Sequence, residues 1–371
     1  MKLINKVILI ISPESWGENY VSKHHYTIEL VKKGNKVIFF NPPDKQLIKR
    51  KAIPYPRFAN LIVMNFPQSF KGLNQIPFVF RRWYHHVEAR RMLLFLEKKV
   101  DIVWSFDPYR LQYIKAFNAD LCIYHAMDDH ESNIENDVVE SADMVLAVSD
   151  LIKHKFSDCN TPCYKINHGV GDHFFSYKKP PVEKITTPKR INVGYVGNLH
   201  YRYLDKRIFK QIILENPEVQ FCFIGPYENN NLSNSERNRG FVQFLKSRHN
   251  ISLIGPRPSA LLPSYLQQFD LFLSCYNTNV NPVHMSNSHK ILEYLSTGKV
   301  VVSHWIDEYK DKRDLLEMVD NNTVLPARLK KVIQNINFYN SKEKSKERIN
   351  FASNNTYANQ IIRIQHLIKT I

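Results

Sequence analysis

Between Met285 and Ser303 the chain places a lysine and a glutamate three positions apart, Lys290 and Glu293, behind the polar run Ser286, Asn287, Ser288. On a helix this spacing brings both side chains to one face near the first turn. Each of the three polar residues is a competent helix cap, Gly298 is a helix stop, and Val300, Val301 and Val302 then read as a buried strand. A lysine beside the free N–H groups of a helix start suits a phosphate, and a carboxylate one turn on suits sugar hydroxyls. The same residues also fit an ordinary surface Lys–Glu pair, and the motif alone leaves both readings open. A second cluster, Asp128 and Asp129, follows an apolar run ending at Tyr124. An adjacent acidic pair can bind an acceptor hydroxyl or act as general base, and it is also what a turn after a strand commonly contains.

The elements that must position these groups are apolar, β-branched runs at helical separation. The first half predicts strands at Val7–Ile11, Val37–Phe40, Leu61–Phe66, Asp101–Ser105, Ala119–Tyr124 and Met144–Val148, with a helix over Lys23–Lys33 ended by Gly34. Such alternation implies α/β architecture, a parallel sheet covered on both faces, with ligands at the carboxyl ends of the strands. That gathers Pro13–Trp16, Asp107, His125–Asp129 and Ser149. Residues 177–190, rich in proline and charge, read as a linker. A second series follows at Ile191–Val196, Val219–Ile224, Asn250–Ile254, Leu271–Cys275 and Val300–Ser303. Apolar Ile361, Ile364, Leu367 and Ile368 then recur at helical spacing. The expected division is residues 1–176, the linker, residues 191–345, and a helix within 346–371.

A length of 371 residues suits two cores, and 43% hydrophobic residues with 12% aromatics argue against disorder. The apolar run Val7–Ile11 is too short for a signal sequence or membrane span, so a cytoplasmic location is expected. Five scattered cysteines suggest reduced thiols; Cys159 and Cys163 have no second pair at zinc spacing, so no metal is expected. A net charge of +16 asks for an anionic partner. No nucleic-acid-binding motif accompanies it, so nucleic acid is not expected. The segment Phe78–Lys99 sets Arg81, Arg82, Arg90 and Arg91 around Trp83 and Tyr84. It reads either as a helix lying on an anionic inner-membrane surface or as a core-packed helix with a solvated basic face.

The segment Met285–Ser303 resembles the nucleotide-sugar-binding motif of family-4-type glycosyltransferases of the GT-B fold. Val193–Leu199 resembles the glycine turn that opens their donor domain. Phe223–Pro226, Ile251–Pro256 and Leu262–Leu273 resemble later strand ends, and Asn167–Phe174 resembles the crossing into the second domain. Ser12, Pro13, Trp16, His24, His25 and Asn41–Pro43 look like the subgroup that includes teichuronic-acid glycosyltransferases. The resemblance implies two Rossmann-like domains with a cleft between them and a C-terminal helix returning to the first domain. It implies transfer from a UDP- or GDP-sugar to a hydroxyl of a lipid-linked or polysaccharide acceptor in surface-polysaccharide biosynthesis, without a metal. By position it implies Gly197 and Arg202 at the donor diphosphate, with Lys290 and Glu293, and His125 at the reacting sugar beside Asp128 and Asp129. Trp16, His24 and His25 would meet the acceptor. Two departures stand out: Asn198 replaces the usual Arg after the turn glycine, and Met285 replaces the first of two glutamates, in whose place backbone N–H groups of Ser286, Asn287 and Ser288 could meet the donor.

Two other classes compete. One is a dinucleotide-dependent oxidoreductase, disfavoured because neither half opens with the Gly-x-Gly-x-x-Gly turn. The other is a non-catalytic nucleotide- or polyanion-binding protein, suggested by the charge.

Overall fold

The computed structural model describes residues 1–67, 76–176, 178, 180–228, 236–283 and 285–371. They form two compact units, residues 1–167 with 357–371, and residues 168–356.

Unit 1 is built on strands β1 (Val7–Ile11), β2 (Lys36–Phe40), β3 (Lys51–Pro54), β4 (Leu61–Asn65), β5 (Ile102–Ser105), β6 (Leu121–Ala126), β7 (Met144–Ala147) and β8 (Cys163–Lys165). Their order across the sheet is β3-β4-β2-β1-β5-β6-β7-β8. All neighbours are parallel except the β3–β4 pair. The central strands are near-continuous runs of Val, Ile, Leu and Phe because helices cover both faces. β3 was not foreseen: it is exposed along its whole length and ends in proline, which only an edge strand accepts. The order reverses between β1 and β5, the switch point of a doubly wound sheet.

The helices are α1 (Ser22–Lys32), α2 (Phe78–Leu96), α3 (Ser132–Glu140) and α4 (Asp150–His154). α2 ends at Glu97, which adopts a left-handed backbone with φ 50°. The helix Tyr357–Leu367, far along the chain, belongs to this unit and packs on α1. Tyr357 donates its hydroxyl to Ser22 Oγ at 3.0 Å, and its ring stacks on His25 at 4.8 Å.

Unit 2 has strands β9 (Asn192–Val196), β10 (Gln220–Ile224), β11 (Ile251–Gly255), β12 (Leu271–Ser274), β13 (Val300–Ser303) and β14 (Glu317–Met318). They run in the order β11-β10-β9-β12-β13-β14, all parallel. Its helices are α5 (Lys206–Glu215), α6 (Glu236–Lys246), α7 (Leu262–Leu266), α8 (His289–Leu295), α9 (Leu325–Gln334), α10 (Ile336–Tyr339) and α11 (Lys342–Ser353). Here the switch point lies between β9 and β12. Buried Arg348 on α11 donates to the carbonyls of Gly298, Leu315 and Tyr339 and so ties three segments together.

Both units therefore have the Rossmann-like order. The observed limits at 167/168 and 356/357 differ from those expected at 176 and 345. Of the expected linker, Tyr177 and Lys179 lie outside the described residues. Its later part is packed structure: Val182 and Ile185 join the unit 2 core, and Glu183 pairs with Arg257 at 2.7 Å. Apolar residues at two positions suffice to anchor a segment whose composition otherwise reads as linker.

Candidate active site

In unit 2 the strand ends step past one another through glycine. The Gly197 amide donates to Ile224 O at 2.9 Å, and the Gly225 amide to Gly255 O at 3.0 Å. A Cβ on Gly225 would lie 2.1 Å from Gly197 O, and Gly225 has φ +139°, so no side chain fits there. α8 is fixed to this turn by Tyr294, to which the sequence alone assigns no role. Its ring lies flat on Phe272 at 4.2 Å, and its hydroxyl accepts from the Val196 amide at 2.8 Å.

Tyr294 thereby fixes α8, the helix that carries Glu293, to the end of β9. The Glu293 carboxylate is half-buried and accepts no hydrogen bond from the described residues; burial pushes its pKa up to about 7, against the opposing pull of Lys290. No ion pair joins Lys290 to Glu293 or to any other carboxylate among the described residues, so the plain surface pair is not what the helix presents. Buried carboxylates are ordinarily satisfied. A half-buried one beside a cation at a switch point is a ligand-site candidate.

Around this pair the other expected donor residues divide. Arg202 is exposed on the loop after Gly197, its guanidinium over the Tyr203 ring at 4.5 Å and donating to the Tyr203 hydroxyl at 2.5 Å. That loop is pinned to the other side of the switch point, where the Asn277 amide donates to Tyr203 O at 2.7 Å. Ser288 occupies the N-cap of α8 without a side-chain cap bond. Asn287 is half-buried beside it. Ser286 is 1% exposed, its amide donates to Val283 O and its carbonyl accepts from Glu308 N. It therefore offers no backbone N–H to a ligand, which corrects its expected role. Met285, buried in the unit 2 core, supplies no carboxylate.

In unit 1 the expected cluster separates further. His125 is fully buried, stacked on Phe106 at 5.2 Å and Trp104 at 6.0 Å, with Tyr26 at 5.3 Å. The end of β6 lies inside an aromatic stack, which keeps His125 off the surface that Asp128 reaches. Asp129 forms an ion pair with Lys155 at 2.7 Å, and Lys155 also meets Glu135 at 2.7 Å. Burial opposes the charge on Lys155, but the hydrogen bonds to Asp129 and Glu135 outweigh it and raise the pKa. Asp129 is thus tied into the fold, and exposed Asp128 is the open member of the pair.

His24 is also structural. Its Nδ1 accepts from the Val21 amide at 3.1 Å and its Nε2 faces Ser15 O at 3.0 Å, which caps α1 and leaves no ring nitrogen for an acceptor. Burial lowers its pKa to about 4, in keeping with a neutral ring. His25 is buried, with its ring stacked on Tyr357. Trp16 remains half-buried, edge-on to Phe39 at 5.0 Å and Tyr55 at 5.3 Å.

Arg110 escaped notice in the sequence. It pairs with buried Asp107 at 2.5 Å, donates to Asn41 O at 3.2 Å and also to Ser12 O. One side chain so clamps the ends of β5, β2 and β1 across the switch point, and the only sequence signal is the Asp-x-x-Arg spacing after a strand. Among the described residues no group of three or more His, Cys, Asp or Glu side chains is placed to hold a metal ion. The cysteines are free thiols, with Cys163 pushed up to about 12 by burial.

No protein-family model matches the sequence, and no curated relative matches it either. Solved structures do match along the whole chain. Sucrose-phosphate synthase from Thermosynechococcus elongatus superposes with a TM-score of 0.72 at 12% identity, covering 98% of each chain. A glycosyltransferase from Rickettsia africae gives 0.69 at 14%, covering 98% of this chain and 97% of that one. Anabaena HepE in complex with UDP and glucose gives 0.67 at 14%, covering 99% and 100%. With the doubly wound order in both units, these matches define the fold as GT-B.

Proposed function

We propose that the protein is a glycosyltransferase that moves a sugar from a UDP- or GDP-sugar to a hydroxyl of a lipid-linked or polysaccharide acceptor in surface-polysaccharide biosynthesis. The observation that carries the reading is the Lys290–Glu293 pair: a cation and a half-buried carboxylate, without a hydrogen bond from the described residues, on the helix that Tyr294 fixes to the end of β9. In support, one structurally similar protein was solved with UDP and glucose. The narrower likeness to family-4 and teichuronic-acid-type enzymes, hexosyl transfer, a cytoplasmic location and attachment to the inner face of the membrane are parts of the same proposal.

In this reading Lys290, with Arg202 from the neighbouring loop, neutralises the diphosphate as the bond from the anomeric carbon to its oxygen breaks. That is where charge develops, so stabilisation there lowers the barrier most. Glu293 accepts from ribose hydroxyls. The acceptor hydroxyl forms the new bond to the anomeric carbon; if the reaction inverts, its proton passes to a carboxylate acting as general base, for which Asp128 is the open candidate. Calorimetry with UDP- and GDP-sugars tests the site. Lys290→Ala and Glu293→Gln should each weaken the best donor about 10- to 150-fold, the ~1.5–3 kcal/mol of a charge-assisted hydrogen bond, while the fold stays intact. Unchanged affinity in both would remove the donor site from α8.

A further inference from the structure

One helix of unit 1 exposes what a solvated helix should hide. On α2, Val79 is 75% exposed, Phe80 65%, Trp83 69% and Leu94 68%. At 3.6 residues per turn, Val79, Trp83, Arg90 and Leu94 fall within about 60° of arc, opposite the buried residues His85 and Met92. The outermost ridge of the helix is therefore apolar and aromatic with a cation in it. Scattered exposed apolar residues need no explanation, but a contiguous ridge does.

The charge around the ridge is strongly one-sided. Residues 1–100, which supply β1–β4, α1 and α2, hold eighteen Lys and Arg against six Asp and Glu; residues 101–167, which supply β5–β8, hold five against twelve. The sheet order divides these two sets at the switch point, so unit 1 has a basic half and an acidic half. The exposed edge strand β3 carries Lys51 and Ile53 on the basic half, and Arg50 before it reaches α2 through Glu88 at 2.5 Å.

At the C-terminal end of α2 lies an open groove of ≈ 680 Å³ lined by Leu93, Leu94 and Ala116 together with His86, Arg90, Lys98 and Lys99, against one carboxylate, Glu97. Lys99 is paired with Asp120 at 3.1 Å, whereas Arg90 and Lys98 have no carboxylate partner among the described residues. Lys36, at the start of β2, sits against Lys98; burial and this like charge lower its pKa. Cations gathered beside exposed apolar side chains fit an anionic amphiphile.

We propose that the α2 ridge and this groove are a docking site for an anionic phospholipid bilayer, with Trp83 and Leu94 entering the interfacial layer and Arg90 and Lys98 holding phosphate headgroups. The structure also reassigns the basic residues of this helix. Arg81 is bound to Asp137 at 2.7 Å and faces inward, and Arg82 lies over the Tyr113 ring at 4.3 Å, so neither leads the contact. This proposal rests on the membrane part of the function above and names the surface that would serve it.

Flotation of the full chain with phosphatidylcholine vesicles, with and without roughly 30% phosphatidylglycerol, tests it. Binding is expected to the anionic vesicles alone, with a blue shift in fluorescence from Trp83, the most exposed of the four tryptophans. Arg90→Gln with Lys98→Gln should weaken binding about 30-fold, at roughly fivefold per surface charge. Trp83→Phe should keep most binding and lose the blue shift. Lys330→Gln with Lys331→Gln on α9, an equal loss of charge elsewhere, should change binding less than twofold. Equal loss in the α9 variant, or no effect of the α2 variants, overturns the site. Competition by millimolar inorganic phosphate without a fluorescence shift would mean a soluble phosphate ligand and also overturn it. Sugar-nucleotide affinity, measured without vesicles, should be unchanged in the α2 variants; loss of donor binding in wild type would defeat the enzyme reading while leaving the vesicle result to stand or fall alone.

Discussion

Glu293 carries a pH signature that separates a ligand carboxylate from a surface one. Its folded pKa is raised by burial from an ordinary 4.5 to about 7, so between those values the folded chain binds more protons than the unfolded chain. Stability from this residue must then fall as pH rises through about 4.5 to 7 and stay low above it. Glu293→Gln mimics the protonated form, and denaturant unfolding at pH 8 should find it more stable than wild type by about 1–3 kcal/mol, the two converging near pH 4. Donor binding should run the other way and strengthen with pH in wild type only. The acidic pair of unit 1 offers a second contrast between adjacent residues. Asp129→Asn removes a partner of half-buried Lys155 and should cost about 1–3 kcal/mol of stability by denaturant titration. Asp128→Asn should leave stability within about 0.5 kcal/mol and lower turnover ~100-fold or more in a transfer assay. Equal effects of the two substitutions on turnover would take Asp128 out of the chemistry.

Elements were legible where burial writes a pattern. The runs Val7–Ile11, Met144–Ala147 and Val300–Ser303 are buried on both faces, so their composition announced them. β3, β8 and β14 stayed hidden because two are short and β3 is wholly exposed, leaving no apolar alternation to read. Side chains at element ends were harder still. A histidine after a strand reads alike whether it faces solvent or, as His125 does, an aromatic stack; His24 differs from a ligand only through the Val21 amide it accepts. Arg110 is defined by carbonyls of β1 and β2 distant in sequence. Glycines, by contrast, divide by their neighbours. Gly225→Ala must displace the Gly197 carbonyl and should cost about 2–4 kcal/mol in thermal or denaturant unfolding. Gly240→Ala, with open space around it inside α6, should instead stabilise by about 0.5–1 kcal/mol.

For the molecule as a whole, alternation of strands and helices indicated two α/β units, but composition misplaced their limits, because Val182 and Ile185 anchor a segment that reads as linker. Net charge pointed to an anionic partner without saying which cations are free; the ion pairs of Arg81 and Lys99, set against Arg90 and Lys98, which have no carboxylate partner among the described residues, decide that. The return of residues 357–371 to unit 1 has a further effect, on the order of assembly during synthesis. Leu3 meets Gln365 at 3.3 Å, and α1 is covered by a helix made last among the parts of its unit. At about 5–20 residues per second, residues 168–371 take roughly 10–40 s to emerge. Throughout that interval Tyr26, His25 and the rest of the α1 surface wait uncovered, while unit 2 has all of its own sequence before unit 1 does. The nascent chain can thus complete its second unit before its first, and the first is the unit a chaperone would find open.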